Sequence, residues 1–443
     1  MHHADLPSLP VAVLGAGPVG LAAAAQLLER GLTPLILEAG GGVGANLATY
    51  RHVRLFSPWR YNMDKSALRL LKQHGWQEPE LDALPTAGEL LDAYLAPLAA
   101  VPAIARSLRL AHRVTAISRA GVDKVKTRGR DASPFLIRAA TPEGVREFLA
   151  QAVIDATGTW ATPNPLGANG LPALGEDELG AHIASGMPDV LGAERKRYLG
   201  KRVLVVGAGH SAAGTLLALA ELMETCPDMQ LIWATRGGNL ARVFGGGDAD
   251  GLPARGQLGM RLRGLRDSGR LEMHENFQIQ SLRRHGGRID VHGLETIIEG
   301  VDEIVCATGA RPDLSITREL RVRHDPWLES TDALAPLIDP NEHSCGSVRP
   351  HGHRELAHPE RGYYAVGAKS YGRAPNFLLA TGYEQVRSVA AMLAGDLAQA
   401  DDVQLDLPET GVCNTRSAYR QPQQPQQAAR SCCTVKAADA TCC

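Results

Sequence analysis

Val11-Ala-Val-Leu-Gly-Ala-Gly-Pro-Val-Gly20 is the stretch on which the fold turns. Four apolar residues run into three glycines spaced Gly-x-Gly-x-x-Gly, and a helix-forming stretch, Leu21 to Leu28, follows at once. The order predicts a strand, a tight turn and a helix whose N-terminal N–H groups face a pyrophosphate. The three glycines differ in what they permit. Gly15 allows the turn, Gly17 lets a phosphate approach the backbone, and Gly20 lets the helix pack on the strand. Glu38 then closes a second apolar run, Leu35-Ile-Leu37, at the place where a carboxylate binds ribose hydroxyls.

One such turn is a weak signal, but this one occurs twice. Arg202-Val-Leu-Val-Val206 leads into Gly207-Ala-Gly-His-Ser-Ala212, and Thr215 to Ala220 reads as the helix behind it. Gly207, Gly209 and Ala212 repeat the three spaced positions, and His210 and Ser211 stand at the helix N-terminus, within reach of phosphate. The next strand, Gln230 to Ala234, ends in Thr235-Arg236 and not in an acid. With no carboxylate to repel a 2′-phosphate, Arg236 favours NADPH over NADH; an exposed loop arginine is the alternative. Two dinucleotide units in one chain predict an electron-transfer flavoprotein. The expected fold is α/β, with two Rossmann-like domains, one for FAD and one for NADPH, each on a parallel sheet.

Two related elements, Ala152-Val-Ile-Asp-Ala-Thr-Gly-Thr159 and Glu303-Ile-Val-Cys-Ala-Thr-Gly-Ala-Arg-Pro312, bracket the second unit. They suggest an FAD-binding domain in two parts, 1–165 and 301–405, with an NADPH-binding domain, 166–300, set between them. Gly362 to Gly367 and a helix near Asn376 to Leu393 would complete the flavin part, with the helix N-terminus facing the flavin ring. From 406 to 443 the character changes. Gln421-Pro-Gln-Gln-Pro-Gln-Gln427 is polar and repetitive, which predicts a flexible, disordered Cys-rich tail.

Charge and composition narrow the function. The 46 basic and 48 acidic residues leave a net charge of −2, which gives no electrostatic case for nucleic acid or an anionic membrane. Leu9 to Leu28 carries no charge, yet its three glycines and two prolines argue against a membrane span. No leader is evident before the first strand, so a cytoplasmic protein is expected. The eight cysteines, four scattered and four paired at the C-terminal end, do not form a disulfide framework.

The tail pairs, Cys432-Cys433 and Cys442-Cys443, can present vicinal thiolates to a thiophilic centre such as trivalent arsenic or mercury, an inert tail being the alternative. Cys345 and Cys413 are the second candidates for substrate contact. His343, Cys345, His351 and His353 have ligand-like chemistry at a spacing that matches no zinc pattern, and no metal is expected. Leu407-Pro-Glu-Thr-Gly411 resembles a sorting signal but lacks the apolar span and basic end. Asp248-Ala-Asp250-Gly251 imitates a calcium loop, yet position twelve is Gly259, and the stretch reads as a flexible loop tip with Gly245 to Gly247. No Cys-x-x-Cys pair occurs, so a dithiol beside the flavin is not expected; oxygen is then the simplest acceptor for its electrons.

The two glycine turns, both Ala-Thr-Gly turns and Trp160 resemble those of flavin-containing, NADPH-dependent monooxygenases. Leu55-Phe-Ser-Pro-Trp59, His343-Ser-Cys345, Lys369-Ser-Tyr-Gly-Arg-Ala-Pro375, Tyr383-Glu-Gln-Val-Arg387 and Leu407 to Cys413 are similar, more narrowly, to the flavoproteins of bacterial arsenic-resistance clusters. That resemblance implies oxidation of a trivalent arsenical such as methylarsenite to the pentavalent form, with molecular oxygen as co-substrate. Trp59 and Gly367 would be further flavin contacts. The Phe-x-Gly-x-x-x-His-x-x-x-Tyr/Phe signature of related monooxygenases is lacking, His182 being a partial echo. Two other readings stay open: a disulfide or metal-ion reductase working through the tail thiols, and a non-enzymatic thiol scavenger.

Overall fold

A computed structural model describes residues 8–343, 348–375 and 378–405. The chain opens with β1 (Val11–Leu14), α1 (Pro18–Glu29) and β2 (Pro34–Leu37). After several short helices come β3 (Leu108–Arg109), an antiparallel meander of β4 (Arg113–Arg119), β5 (Phe135–Thr141) and β6 (Gly144–Ala150), and then β7 (Ala152–Asp155). The second unit contains β8 (Ile183–Ser185), β9 (Arg202–Val206), α2 (His210–Thr225), β10 (Gln230–Ala234), α3 (Pro253–Asp267) and β11 (Glu272–His274). A second meander, β12 (Ser281–His285), β13 (Arg288–His292) and β14 (Ile297–Val301), precedes β15 (Glu303–Cys306); β16 (Tyr363–Ala365) and α4 (Leu379–Leu393) follow.

Two five-stranded sheets result, ordered β16-β7-β1-β2-β3 and β11-β10-β9-β15-β8, and every pairing in both is parallel. They are the same sheet built twice. β9 takes the place of β1, β10 of β2, β11 of β3, β15 of β7 and β8 of β16. The outer strand is supplied last in the first sheet and first in the second. In each unit a meander stands just before the strand that carries the Ala-Thr-Gly turn.

This corrects the expected boundary at residue 300. β15 pairs with β9 on one side, Val305 opposite Val205, and with β8 on the other, so the second sheet closes only after Cys306. The second Ala-Thr-Gly turn is thus the counterpart of the first and not a return to the first sheet. Sequence similarity between the turns could not say which sheet each belongs to, because strand pairing joins residues remote in the chain.

The uncharged run Leu9 to Leu28 is a central strand followed by a helix buried on nearly every side, from Pro18 to Leu27. α1 lies between its own sheet and other helices, and such a helix needs no polar face. No helix among the described residues is long and apolar enough to cross a membrane.

The last long helix is Leu379–Leu393; Asn376, near which its start is expected, lies outside the described residues. One other expectation changes. Asp250 is not a loop tip: it is buried, and Arg255 Nε and Nη2 donate to its carboxylate at 2.8 and 2.7 Å. The glycines around it allow close packing, since a Cβ on Gly259 would sit 2.0 Å from the Phe244 carbonyl oxygen. Cys345, Cys413, Cys432, Cys433, Cys442 and Cys443 lie outside the described residues, as does the whole tail from 406.

Candidate cofactor and active site

The first glycine turn is fixed by contacts that no side chain would survive. Gly15 has φ +94°, and a Cβ there would sit 2.9 Å from the Ala156 carbonyl oxygen of the first Ala-Thr-Gly turn. A Cβ on Gly20 would come within 1.9 Å of the Gly15 carbonyl oxygen, so the third glycine is demanded by the first. Gly17 differs. Among the described residues nothing lies within 4 Å of a Cβ placed there, which leaves an open approach to the backbone. Gly17 caps α1 without a side-chain hydrogen bond, so the first N–H groups of the helix remain available to an anion.

Glu38, at the end of β2, accepts hydrogen bonds from the backbone N–H of Ala16 at 2.6 Å and of Gly40 at 2.7 Å. Its carboxylate thereby ties the glycine turn to the neighbouring strand. Gly367 follows β16 with φ +64°, and its N–H donates to Gln385 Oε1 on α4 at 2.6 Å. Gly382 of α4 packs against Val19 of α1. The starts of α1 and α4 and the Gly367 turn therefore converge at the C-terminal ends of β1, β7 and β16, where open α/β sheets bind ligands. Trp59 belongs to the hydrophobic core beside them and is not on the cleft wall, whereas its neighbours Ser57 and Asn62 are.

The second turn repeats the first. Gly207 has φ +135°, and a Cβ there would lie 2.2 Å from the Ala307 carbonyl oxygen. Gly209 caps α2 with no side-chain hydrogen bond, and Ala212 is fully buried. His210 and Ser211 face the cleft. Burial, followed by the guanidinium charges of Arg255 and Arg242, pushes the His210 imidazole down to about 4, so it is neutral at pH 7. Arg236 is exposed at the end of β10, donates to the Ala168 carbonyl at 3.3 Å and lies off the cleft wall. Arg242, Arg255 and Arg261 are on that wall. Sequence reading missed them, although the density of arginines along α3 was a visible signal.

A cleft of about 900 Å³ separates the two units, with Pro18 of α1 on one side and His210 of α2 on the other. Trp160, on the segment that crosses between the sheets, spans it. Its Nε1 donates to Thr49 Oγ1 at 2.9 Å, its ring stands 4.6 Å from that of Tyr50, and Gly186 passes so close that a Cβ would touch the indole at 2.9 Å. Burial raises the Tyr50 hydroxyl to about 12, which keeps it neutral. The two crossing segments are joined by Asn164 N–H to the Gly309 carbonyl, 2.9 Å, and Arg311 N–H to the Thr162 carbonyl, 3.0 Å.

Among the described residues the cysteines are Cys226 and Cys306, both free, and neither lines the cleft. Burial pushes the Cys306 thiol up, away from thiolate character. No group of His, Cys, Asp and Glu among the described residues could hold a metal ion. His351 is instead paired with Gln385, Nε2 to Nε2 at 2.8 Å.

The sequence profile of the pyridine nucleotide-disulphide oxidoreductases matches residues 12–344, three quarters of the chain and both glycine units. The chain belongs to that family. Solved structures similar to this oxidoreductase include the bacillithiol disulfide reductase of Bacillus cereus, at 17% identity and a TM-score of 0.63, covering 87% of this chain and 99% of that one. The FAD-bound cadaverine monooxygenase of desferrioxamine biosynthesis from Erwinia amylovora has 14% identity and a TM-score of 0.61, covering 94% and 99%. A flavin-containing monooxygenase from Stenotrophomonas maltophilia has 20% identity and a TM-score of 0.57, covering 87% and 98%. At these identities the likeness establishes the fold. No curated protein matches the chain in sequence.

Proposed function

We propose that this oxidoreductase is an FAD-dependent, NADPH-consuming monooxygenase that oxidises a soft trivalent substrate, methylarsenite or another trivalent arsenical. The observation that carries the reading is the pair of helices α1 and α2, each with a glycine at its N-cap and no side-chain hydrogen bond to its first N–H groups, whose N-termini flank one cleft. Gly15, Gly17, Gly20 and Glu38 hold FAD, with Gly367 as a further contact. Gly207, Gly209, His210, Ser211 and Ala212 hold the pyrophosphate of NADPH, and Arg236 meets its 2′-phosphate. The FAD-bound and flavin monooxygenase structures of the same fold support this assignment.

Bound FAD supplies the hydride acceptor and the chemistry of oxygen activation. The protein contributes position and dryness: Trp160, Tyr50 and the start of α4 at Leu379 line the cleft. Per turnover, NADPH, a proton, oxygen and methylarsenite become NADP⁺, water and the pentavalent product. The thiols of Cys432, Cys433, Cys442 and Cys443, with Cys345 and Cys413, are proposed to capture the arsenical.

The test is NADPH oxidation and oxygen uptake by the yellow holoprotein across trivalent arsenicals, amines and sulfides. Equal consumption of both with methylarsenite, and formation of the pentavalent product, are expected. Deleting residues 428–443 should raise the KM for methylarsenite and leave kcat nearly intact. The family and the bacillithiol disulfide reductase fold favour a second reading, a reductase that passes electrons through the tail thiols. That reading predicts NADPH loss without oxygen uptake and a collapse of kcat on truncation.

A further inference from the structure

The Lys369-Ser-Tyr-Gly-Arg-Ala-Pro375 stretch lies outside both glycine turns, yet it carries a buried cation beside the flavin end of the first sheet. Lys369 Nζ lies 2.6 Å from Asp155 Oδ2, and both side chains are almost wholly enclosed, 1% and 0% exposed. Asp155 is the last residue of β7. It also accepts from the Tyr363 hydroxyl of β16 at 3.0 Å and from Thr157 Oγ1 at 2.7 Å. Lys369 donates a second bond to Thr157 Oγ1, 3.0 Å. One ammonium thus joins two turns: Ala156 to Gly158, against which Gly15 is packed, and Gly367 to Tyr371, braced by Gln385 of α4.

We propose that Lys369 is a flavin-positioning residue: with Asp155 it sets the spacing of the two turns that face the cofactor. The proposal rests on the assignment of FAD to the first unit. A buried pair is seldom the cheapest way to stabilise a fold, since apolar residues of similar volume serve as well or better. Its geometric specificity is what an apolar contact cannot supply. Lys369 reaches both Asp155 and Thr157, so the ammonium fixes the Thr157 hydroxyl and with it the carbonyl of Ala156 on which the Gly15 turn rests. Asp313, whose carboxylate feels the Lys369 charge, and the imidazoles of His324 and His358 are the titratable groups next to the network; the two rings are 5.1 Å apart, His358 is 5.5 Å from Tyr363, and burial pushes both imidazoles down, leaving Lys369 as the cation at this spot.

The experiment compares FAD binding by wild type, Lys369→Met and the double variant Asp155→Asn/Lys369→Met, in full-length protein stripped of flavin and reloaded. Readouts are the FAD dissociation constant, the visible flavin spectrum and the melting temperature of the apoprotein. Lys369→Met leaves a buried unpaired carboxylate and is expected to melt earlier. The double variant removes both charges and is expected to regain melting temperature, yet to bind FAD about tenfold more weakly than wild type with an altered flavin spectrum. Wild-type FAD affinity and spectrum in the folded double variant would overturn the proposal and leave the pair a purely structural one. If wild type itself takes up no FAD, the assignment of the first unit fails, a different outcome from either of these.

Discussion

A Cβ on Gly207 would stand 2.2 Å from the carbonyl oxygen of Ala307, the residue that follows the neighbouring strand β15. Gly15 stands in the same relation to Ala156 beside β7. Each Ala-Thr-Gly turn is therefore the seat of the glycine turn next to it. Gly207→Ala would combine a clash with backbone and a strained positive φ, costing on the order of 1–3 kcal/mol. The expected result is weakened NADPH binding with FAD content retained, read by titration and by flavin absorbance. Loss of both together would mean that the two units do not bind independently.

Arg236 lies off the cleft wall at the end of β10, in the place where many dinucleotide units carry an acid. Removing a charge-assisted contact to the 2′-phosphate costs about 1.5–3 kcal/mol, or roughly 10- to 150-fold in affinity. Arg236→Ala should raise the KM for NADPH by that factor and leave NADH little changed. Equal effects on the two cofactors would move the phosphate site to the cleft arginines.

Glu38 is expected to matter twice, to the cofactor and to the glycine turn itself, because its carboxylate accepts from Ala16 and Gly40. Glu38→Arg should purify colourless and take up FAD poorly even at excess. Glu38→Gln keeps one acceptor and should retain part of the flavin. A yellow, fully loaded Glu38→Arg protein would exclude this carboxylate from the flavin site.

A second buried cluster, outside the cleft lining, predicts a large loss of stability. Glu360 accepts from Arg119 Nε at 2.8 Å and Arg130 Nη2 at 2.7 Å, with all three side chains at most 2% exposed. Glu360→Ala strands two guanidinium groups and should cost about 3–5 kcal/mol in urea denaturation. Equilibrium unfolding of wild type and variant at neutral pH measures it.

Acid should destabilise the fold between about pH 6.5 and 4. Burial, and then His324, pushes His358 from the ordinary 6.5 down to about 4, and burial shifts His210 to about 4 as well. Protons therefore bind the unfolded chain more tightly, so the stability these groups confer is complete above about pH 6.5 and is lost as the pH falls towards 4. The slope is at most about 1.4 kcal/mol per pH unit for each histidine. His358→Gln should flatten it, as followed by urea unfolding at a series of pH values across that window; an unchanged slope would assign the acid sensitivity elsewhere.

Local pattern was enough for the elements that bind the dinucleotides. β1, β9 and β10 end where the apolar runs do, and β9 and β10 begin one residue before them, because each is a central strand whose apolar residues are buried on both faces and need no polar alternation. The glycine spacing was equally legible, since a tight turn at a helix N-terminus restricts residue type at each position. Arg255 and Asp250 were not: a loop rich in glycine reads as mobile until the helix packed against it is seen.

Residue order was sufficient for two dinucleotide units of α/β type, since strand, turn, helix and strand follow from neighbours in the chain. Folding in three dimensions settled the rest: that β15 completes the second sheet, that Trp59 is core while Trp160 spans the cleft, and that Lys369 meets Asp155 across 214 positions. Those facts depend on strand pairing and on which side chains share a buried volume. Such contacts form between residues remote in the chain, and no local pattern encodes their partners.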